Sequence, residues 1–412
     1  PGALADQTNK KSVTIYAGDT KGEEIIDYSD NYNVGTTAIG SHTVYYYGTT
    51  FDRASNDFIY SYLTRTITTR DPLGANATKQ VSYYTNAEKG EELINWSQEY
   101  TSGGTTAKTI TTYTYGTPNT VTADCLREVT VYKATTNYVA KVSPVPPAEP
   151  TWVYTDQPVL ANTTMKAKTY YAGDTKGEEI INYTDNYNVG TTNIESRTTY
   201  YYYASSTDKY SSASNELIYS YLTQTVTKRD PLGDNALKQI SFYKNTEKGE
   251  ELIDWSQEYS YDATQRKTTT LYNYGTPNTV YEDCLSSVKI YKDGTTNIAN
   301  DKNRTKPTEG TGVGQLPPTT LKTWTYYRGD IKGEEIVNYV DNYRMGSTTV
   351  DSRTRYYYYA TTNDRFSTAE NSLIYSYLTN TVTRRGTNGA LKQVSFYMNS
   401  EKGEELVNWS QE

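Results

Sequence analysis

The sequence repeats itself with a period of about 155 residues, and this feature limits the possible folds more than any other. Gly22, Gly177 and Gly333 occupy the same place in successive copies, 155 and 156 residues apart. Self-similarity at a fixed period indicates one structural unit used in tandem. The copies predict the end of a preceding linker at 1–10, repeat 1 at 11–133, a Pro-rich linker at 134–167, repeat 2 at 168–292, a Pro/Gly-rich linker at 293–320 and a truncated repeat 3 at 321–412.

Within each copy the segments are short and typical of β-strands. The runs "TVYYYG", "KQVSYY" and "KTITTYTY" are rich in Val, Thr and Tyr, which suit a pleated, half-buried surface. Alternation places Val81 and Tyr83 on one face of a strand, with polar residues on the other. No segment sustains the 3.6-residue period of a helix. The sequence therefore predicts an all-β protein.

Pairs of these segments predict four β-hairpins in each complete repeat. In the second copy they are Lys168–Tyr187, Thr198–Thr227, Lys238–Tyr259 and Thr269–Lys292. The predicted fold is a series of tandem antiparallel β-hairpins forming an elongated strip, spiral or rod. The alternative is that each repeat folds into a β-sandwich and the Pro-rich spacers string these domains as beads. Both use the same alternation.

The sequence Lys-Gly-Glu-Glu, here called the tip motif, occurs six times between two alternating runs. Glycine supplies the positive φ that closes such a hairpin through a short turn. We expect the lysine and glutamates to face each other across the ladder of their own hairpin. A catalytic centre is needed once, so six copies favour a structural turn. The turn glycines are Gly22, Gly90, Gly177, Gly249, Gly333 and Gly403.

Composition argues against several function classes. The net charge is −8 and no basic block opposes it, so neither nucleic acid nor an anionic membrane is an expected partner. No apolar run approaches the roughly 18 residues of a membrane span. His42 is the only histidine, which argues against repeated histidine chemistry and His-rich metal sites. We expect no enzyme activity and no cofactor.

Tyrosine is the most unusual residue, with 45 Tyr against 5 Phe. Rings on hairpins that lie side by side could form aromatic ladders, and exposed rings could instead stack on sugars. Both uses stay open for the candidate positions. These positions are Tyr46, Tyr60, Tyr201, Tyr219, Tyr357 and Tyr375.

Two further residue sets have alternative interpretations. Cys125 and Cys284 occur once per complete repeat, as buried free thiols or as cross-links between chains. Acidic residues around the turns, such as Asp19, Glu23 and Glu24, could offer oxygen ligands to Ca²⁺. They lack the spacing of a calcium-binding loop, so calcium is a minor alternative.

The stretches "TRDPLGANATKQVSYYTNAEKGEEL" and "KRDPLGDNALKQISFYKNTEKGEEL" resemble YD repeats of the Rhs type. The matching positions are Asp71, Pro72, Gly74, Tyr84 and Gly90 in the first copy, and Asp230, Pro231, Gly233, Tyr243 and Gly249 in the second. The third copy departs from this pattern with "RRGTNGA", and Tyr-Asp pairs are mostly absent. The resemblance implies hairpins laid side by side into a shell or rod in an extracellular protein.

These observations predict a non-enzymatic extracellular or cell-surface structural protein. Its stacked Tyr-rich hairpins would build a fibre, stalk or surface filament, with further repeats or copies of the same chain as partners. The first alternative is a glycan-binding adhesin that uses exposed tyrosines. The second is a shell segment of a YD-repeat toxin casing, which follows from the resemblance alone.

Overall fold

The computed structural model describes residues 10–32, 37–70, 77–85, 87–104, 106–116, 124–134, 160, 163–231, 236–275, 283–294, 305–312, 314–398, 402–403 and 405–412. In these ranges 25 strands belong to one antiparallel sheet, and the helical segments there are three-residue 3-10 turns. The all-β prediction is confirmed. Asp71, Pro72, Gly74 and Gly233 lie outside the described residues, as do 117–123, 276–282 and most of the linker at 134–167.

The chain divides into two compact units, residues 1–195 with 214–218, and residues 196–213 with 219–412. The first unit contains β1 (Ser12–Ala17), β2 (Ile25–Tyr32), β3 (Ile39–Tyr47), β4 (Asp52–Arg53), β5 (Leu63–Arg70), β6 (Thr78–Thr85), β7 (Leu93–Tyr100), β8 (Ala107–Tyr115), β9 (Leu126–Ala134), β10 (Thr163–Ala172) and β11 (Ile180–Tyr187).

The boundary between the units falls within β12 (Ile194–Tyr202). The second unit continues with β13 (Ser211–Ser212), β14 (Leu222–Arg229), β15 (Leu237–Lys244), β16 (Leu252–Tyr259), β17 (Arg266–Tyr274), β18 (Leu285–Lys292), β19 (Leu321–Arg328), β20 (Ile336–Tyr343), β21 (Val350–Tyr358), β22 (Ser367–Thr368), β23 (Leu378–Arg385), β24 (Leu391–Met398) and β25 (Leu406–Gln411).

Strands pair with their neighbours in the chain. The four predicted hairpins of the second copy correspond to the antiparallel pairs β10–β11, β12–β14, β15–β16 and β17–β18, so this prediction is confirmed. Consecutive hairpins also pair with each other, as β9 does with β10 and β16 with β17. This arrangement agrees with the predicted strip of tandem hairpins.

Each of the six hairpins with a tip motif contains a β-bulge at the same place. Phe242 lies opposite Trp255 and Tyr243 lies opposite Ile253, so Asp254 has no residue opposite it. A bulge of this kind changes which face the residues beyond it point to. The six bulged residues are Asp27, Asn95, Asn182, Asp254, Asn338 and Asn408.

The main hydrophobic cluster of the second unit centres on Trp255. Its ring stacks on Phe242 with centroids 4.2 Å apart. Leu316, from the predicted spacer at 293–320, is buried in the same cluster, and Lys306 Nζ lies 2.7 Å from the Asp254 carboxylate. The described part of that spacer is therefore held against the sheet by apolar and ionic contacts.

The described residues contain neither a membrane-spanning helix nor a metal-binding cluster. No helix among them is long and apolar enough to span a bilayer. No group of three or more His, Cys, Asp or Glu side chains in the same ranges is arranged to hold a metal ion.

Candidate functional site

The glycines of the six tip motifs share one backbone conformation, which fixes the turns. All six glycines have φ between +83° and +88°, and a Cβ placed on any of them would meet no atom within 4 Å. Space is thus available, and the backbone conformation is what favours glycine. These are Gly22, Gly90, Gly177, Gly249, Gly333 and Gly403.

In the first unit, the lysine of each later tip motif binds the first glutamate of the tip before it. Lys89 Nζ lies 2.8 Å from Glu23 Oε2 and also donates to the Glu23 carbonyl oxygen at 3.2 Å. Lys176 forms an ion pair with the Glu91 carboxylate. The hydrogen bond to Glu91 raises the pKa of the Lys176 ammonium. Each pair joins two hairpins.

In the second unit, too, the lysine of each later tip binds the first glutamate of the tip before it. Lys332 pairs with Glu250, and Lys402 Nζ lies 2.9 Å from Glu334 Oε2. Lys402 also donates to the carbonyl oxygen of Ile374 at 2.6 Å. In both units these partners lie in different hairpins, 66 to 85 residues apart. The expectation that the charges face each other across their own hairpin is wrong for these pairs.

The second glutamate of the tip motif has a different role. Glu92 accepts the Gly90 N–H through Oε2 and the Leu63 N–H through Oε1, both at 2.8 Å. Leu63 begins a strand of the preceding hairpin, so one carboxylate closes its own turn and ties it to its neighbour. The same link to a leucine N–H, at 2.7 to 2.9 Å, joins Glu179 to Leu126, Glu251 to Leu222, Glu335 to Leu285 and Glu405 to Leu378.

A set of tyrosine hydroxyls supports the bulges from the following strand. Tyr358 donates to the Val337 carbonyl oxygen at 2.8 Å, directly before the bulged Asn338. Burial is the largest cause of the raised pKa of this phenol. The same 2.8 Å bond joins Tyr47 to Ile26, Tyr115 to Ile94 and Tyr274 to Ile253.

Sequence reasoning missed Tyr47 and Tyr358 by one position, because it selected Tyr46 and Tyr357, and it did not select Tyr115 or Tyr274. The register of β3 with β5 shifts between Tyr46 and Tyr47, and that of β21 with β23 shifts between Tyr357 and Tyr358. The residue with no partner opposite it lies on the neighbouring strand, Thr64 of β5 in the first case and Thr379 of β23 in the second. The repeated "YYY" runs carry the signal, but they do not show which ring faces the bulge.

Three predicted tyrosines lie beside the tip lysines. Tyr60 and Tyr219 are 70% and 69% exposed. The ammonium groups of Lys89 and Lys248 lie 6.0 and 5.9 Å from their ring centroids. Tyr375 has Lys402 at 5.9 Å. These distances are at the outer limit of a cation–π contact.

The other three predicted tyrosines have different surroundings. The Arg65 guanidinium lies 4.3 Å from the Tyr46 ring centroid. Burial raises the pKa of the Tyr201 phenol. The carbonyl oxygen of Tyr357 accepts the Thr379 hydroxyl at 2.9 Å. Whether any of the six forms an inter-hairpin ladder or binds sugars stays a prediction.

Stacked aromatic pairs join the two strands of one hairpin in several places. Besides Phe242 and Trp255, the rings of Tyr83 and Trp96 stack at 4.3 Å, and those of Phe396 and Trp409 at 4.4 Å. Each pair lies directly beside a bulge. These stacks stabilise individual hairpins.

The two cysteines are free and buried. Cys125 is 1% exposed and Cys284 is 7% exposed. Burial is the largest cause of their raised pKa values, and the Glu179 and Glu335 carboxylates respectively add to it. Each cysteine directly precedes the leucine whose N–H the same glutamate accepts. The cross-link stays an alternative prediction.

The acidic residues proposed for Ca²⁺ have protein partners. Asp19 accepts the Asn56 side-chain amide at 3.0 Å, and Glu24 accepts the Gly22 N–H at 2.7 Å. Glu23 binds Lys89 as described above. Any bound cation would therefore compete with these contacts.

No family model matches the chain, and no curated protein matches it in sequence. A chain in the crystal structure of TcdB2–TccC3 is a weak structural neighbour, with a TM-score of 0.18 and 9% identity over 97% of this chain and 21% of that one. The structure of the Photorhabdus luminescens Tc holotoxin pore with a mutated TccC3 gives a TM-score of 0.19 and 12% identity over 93% of this chain and 19% of that one. The chain thus spans about a fifth of the length of each neighbour.

Proposed function

We propose that this chain is a non-enzymatic structural repeat protein whose Tyr-rich hairpins build a fibre, stalk or cell-surface filament. The sheet itself provides the structural function, so this function requires no cofactor. Its partners are further repeats or further copies of the same chain. Such a protein acts outside the cell or at its surface.

The observation that carries the proposal is the use of the tip motif. The four described lysine–glutamate pairs and the five glutamate–leucine links each join one hairpin to an earlier hairpin. Exposed ion pairs contribute only about 0–1 kcal/mol each, but a carboxylate with two backbone donors contributes more. Repetition of one set of contacts along a sheet stabilises the packing of each hairpin against its neighbour.

Electron microscopy of the purified chain tests this proposal. Elongated particles that join end to end at higher protein concentration are the expected result. Compact globules with the volume of one chain would overturn it. Hollow closed particles would favour the shell-segment alternative.

A glycan-binding adhesin is the second candidate, favoured by the exposed rings of Tyr60 and Tyr219. Aromatic faces of this kind can stack on sugar rings, although a lysine lies near each of them. A glycan array with the chain and with the double variant Tyr60→Ala/Tyr219→Ala tests it. Binding that disappears in the variant would support the adhesin, and a blank array would leave the structural proposal as the better one.

A further inference from the structure

We propose that two pairs of stacked tyrosines, at the loop ends of two hairpins, are sites of oxidative coupling to dityrosine. The pairs are Tyr203 with Tyr221 and Tyr359 with Tyr377, here called the loop pairs. Coupling joins two phenol rings by a carbon–carbon bond, and its co-reactant is hydrogen peroxide used by a haem peroxidase. The inference goes beyond the proposed structural role. It rests on that role only for the oxidising environment that secreted proteins meet.

Both loop pairs have the same geometry. The ring centroids of Tyr203 and Tyr221 are 5.0 Å apart and their planes differ by 15°. Tyr359 and Tyr377 show the same two values. In each pair the N–H of the first residue donates to the carbonyl oxygen of the second at 3.1 Å, and all four side chains are partly exposed. Two copies of the repeat thus hold two phenols side by side within reach of solvent.

The loop pairs lie directly beyond the ends of their strand ladders. The ladder of β12 with β14 ends with Tyr202 opposite Leu222, and Tyr203 and Tyr221 follow it on the loop side. The second loop pair follows the ladder of β21 with β23 in the same way. The rings of a dityrosine share an edge and not a face, so stacked rings must rotate before they couple. Partly exposed rings beyond the end of a ladder have room for this rotation.

Two other stacked pairs lie inside the ladders and are here called the ladder pairs. The ring centroids of Tyr170 and Tyr183 are 4.4 Å apart, and those of Tyr326 and Tyr339 are 4.3 Å apart. Tyr170, Tyr326 and Tyr339 each have a second strand partner on their other side. The Arg353 guanidinium also lies 4.1 Å from the Tyr339 ring centroid. Because these neighbours oppose rotation, we expect coupling at the loop pairs and not at the ladder pairs.

The hydroxyls of each loop pair are close enough to affect each other. Burial is the largest cause of the raised pKa of Tyr221, and Tyr203 adds to it. Burial and then Tyr359 raise the pKa of Tyr377, while Arg365 opposes them. Tyr221 and Tyr377 are therefore protonated at neutral pH, so each loses a proton together with an electron when it is oxidised.

The reaction balances with one molecule of peroxide for each link. Each phenol loses an electron and its hydroxyl proton, and the resulting radicals carry spin density on the ring carbons next to the one that bears the oxygen. A bond forms between one such carbon of each ring. Each of these carbons then releases its hydrogen as a proton, and each phenolic oxygen takes up a proton again. The electrons and protons removed overall reduce the peroxide to two molecules of water.

The first copy of the repeat provides a control within the same chain. Gly48 takes the place of Tyr203 there, and its N–H donates to the Tyr62 carbonyl oxygen at 3.0 Å. The backbone contact of the loop pairs is thus kept, but glycine has no ring to couple with. We therefore expect Tyr62 to stay unlinked.

Oxidation of the purified chain by a haem peroxidase and hydrogen peroxide, at low protein concentration, tests the inference. Dityrosine fluorescence measures the yield, and mass spectrometry after tryptic digestion locates the links. Trypsin cuts after Lys209 and after Arg365, each of which lies between the two members of a loop pair. A link therefore appears as two joined peptides that have lost two hydrogen atoms. The two loop pairs should provide the main links.

Two double variants separate pairing from exposure. Tyr203→Phe/Tyr359→Phe keeps the stacked rings but removes one phenol from each loop pair. The yield should fall roughly fivefold, because groups held side by side react far faster than separate ones. Tyr60→Phe/Tyr219→Phe removes phenols that are 70% and 69% exposed and is the matched control, with an unchanged yield. Circular dichroism establishes that both variants keep their sheet.

Several outcomes would overturn the inference. These are an absence of dityrosine, links spread over the tyrosines without preference, links confined to the ladder pairs, and links found only between chains as dimers on a denaturing gel. A yield that falls in the control variant and not in the loop-pair variant would also overturn it. The microscopy described above uses the unoxidised chain, so it reports on the structural role whether or not the loop pairs couple.

Discussion

The ammonium of Lys402 lies 2.9 Å from Glu334 Oε2, and these two residues are 68 positions apart in the chain. They belong to the tips of two different hairpins, β24–β25 and β19–β20. The same lysine donates to the carbonyl oxygens of Glu334 and Ile374. The tip motif is thus a set of contacts between hairpins as well as a turn within one.

The two glutamates of one tip should differ in their effect on stability. Glu251→Ala removes the acceptor of both the Leu222 N–H and the Gly249 N–H, so we expect a loss of about 1–3 kcal/mol. Glu250→Ala removes only an exposed partner of Lys332, and about 0–1 kcal/mol is expected. Urea unfolding of the two variants measures the difference. Equal losses would contradict the division of roles.

The hydroxyl of Tyr358 should contribute to stability through the bulge. Tyr358→Phe leaves the ring in place but removes the donor to the Val337 carbonyl oxygen, so we expect a loss of about 0.5–1.5 kcal/mol. Tyr357→Phe, one residue earlier, is the matched control and should change the unfolding free energy by less. A larger effect from the control would show that the wrong hydroxyl had been assigned to the bulge.

Alkaline pH should destabilise the fold through its buried tyrosines. Burial raises the folded-state pKa of Tyr47, Tyr115, Tyr274 and Tyr358 above the ordinary value of 10.0. Their stabilising contribution is complete below pH 10.0. It falls as the pH rises from there towards the folded-state pKa, because the unfolded chain loses these protons first.

Absorbance of the phenolate and circular dichroism, followed together above about pH 9, check this dependence. We expect the buried phenols to ionise only as the sheet signal disappears. A single ionisation wave near the ordinary pKa with an intact sheet would contradict the assignment of the buried phenols.

Glycine at the tip should matter for its backbone conformation alone. Gly249 has φ of +86° and open space where a Cβ would lie, so Gly249→Ala should cost about 1–2 kcal/mol. Gly294 also has open space but lies outside the positive-φ region, and Gly294→Ala is the control with little or no loss. Thermal unfolding compares the two. Similar melting temperatures would show that the turn does not depend on glycine.

The thiols should be protected in the folded state. Cys125 and Cys284 are buried with raised pKa values, so the reactive thiolate is scarce and poorly accessible. Reaction with a disulfide reagent should be slow in buffer and complete within the mixing time in denaturant. Fast native reaction, or a dimer band on a non-reducing gel, would instead support the predicted cross-link.

The hairpins could be predicted from the sequence because the features that define them are local in the chain. Alternation around Val81 and Tyr83, and a glycine in each tip motif, contain enough information to define strands, turns and their order. The positive φ of Gly90 follows from the same local reasoning. These features depend on residues that are close in the chain.

The partners of the tip residues could not be predicted from the sequence. Glu23 and Lys89 meet because β3 and β5 separate their hairpins by a fixed distance, and that distance depends on how strands pair in the sheet. The bulge at Asp27 could not be predicted either, because one extra residue in a strand does not change the composition of the segment in a recognisable way. Tyr47, and not Tyr46, donates to the Ile26 carbonyl oxygen directly before that bulge.

The links between tip motifs and earlier hairpins all run the same way. In each of them the lysine of a later tip binds the first glutamate of an earlier tip, or the second glutamate of a later tip accepts the N–H of an earlier leucine. These contacts therefore have one direction along the chain, because the later hairpin always supplies the lysine or the second glutamate. A duplication of one stretch of the gene, about 155 codons long, would insert four hairpins whose contacts are satisfied on both sides. An added copy of the repeat would therefore bring its own lysines and glutamates for the links to its neighbours.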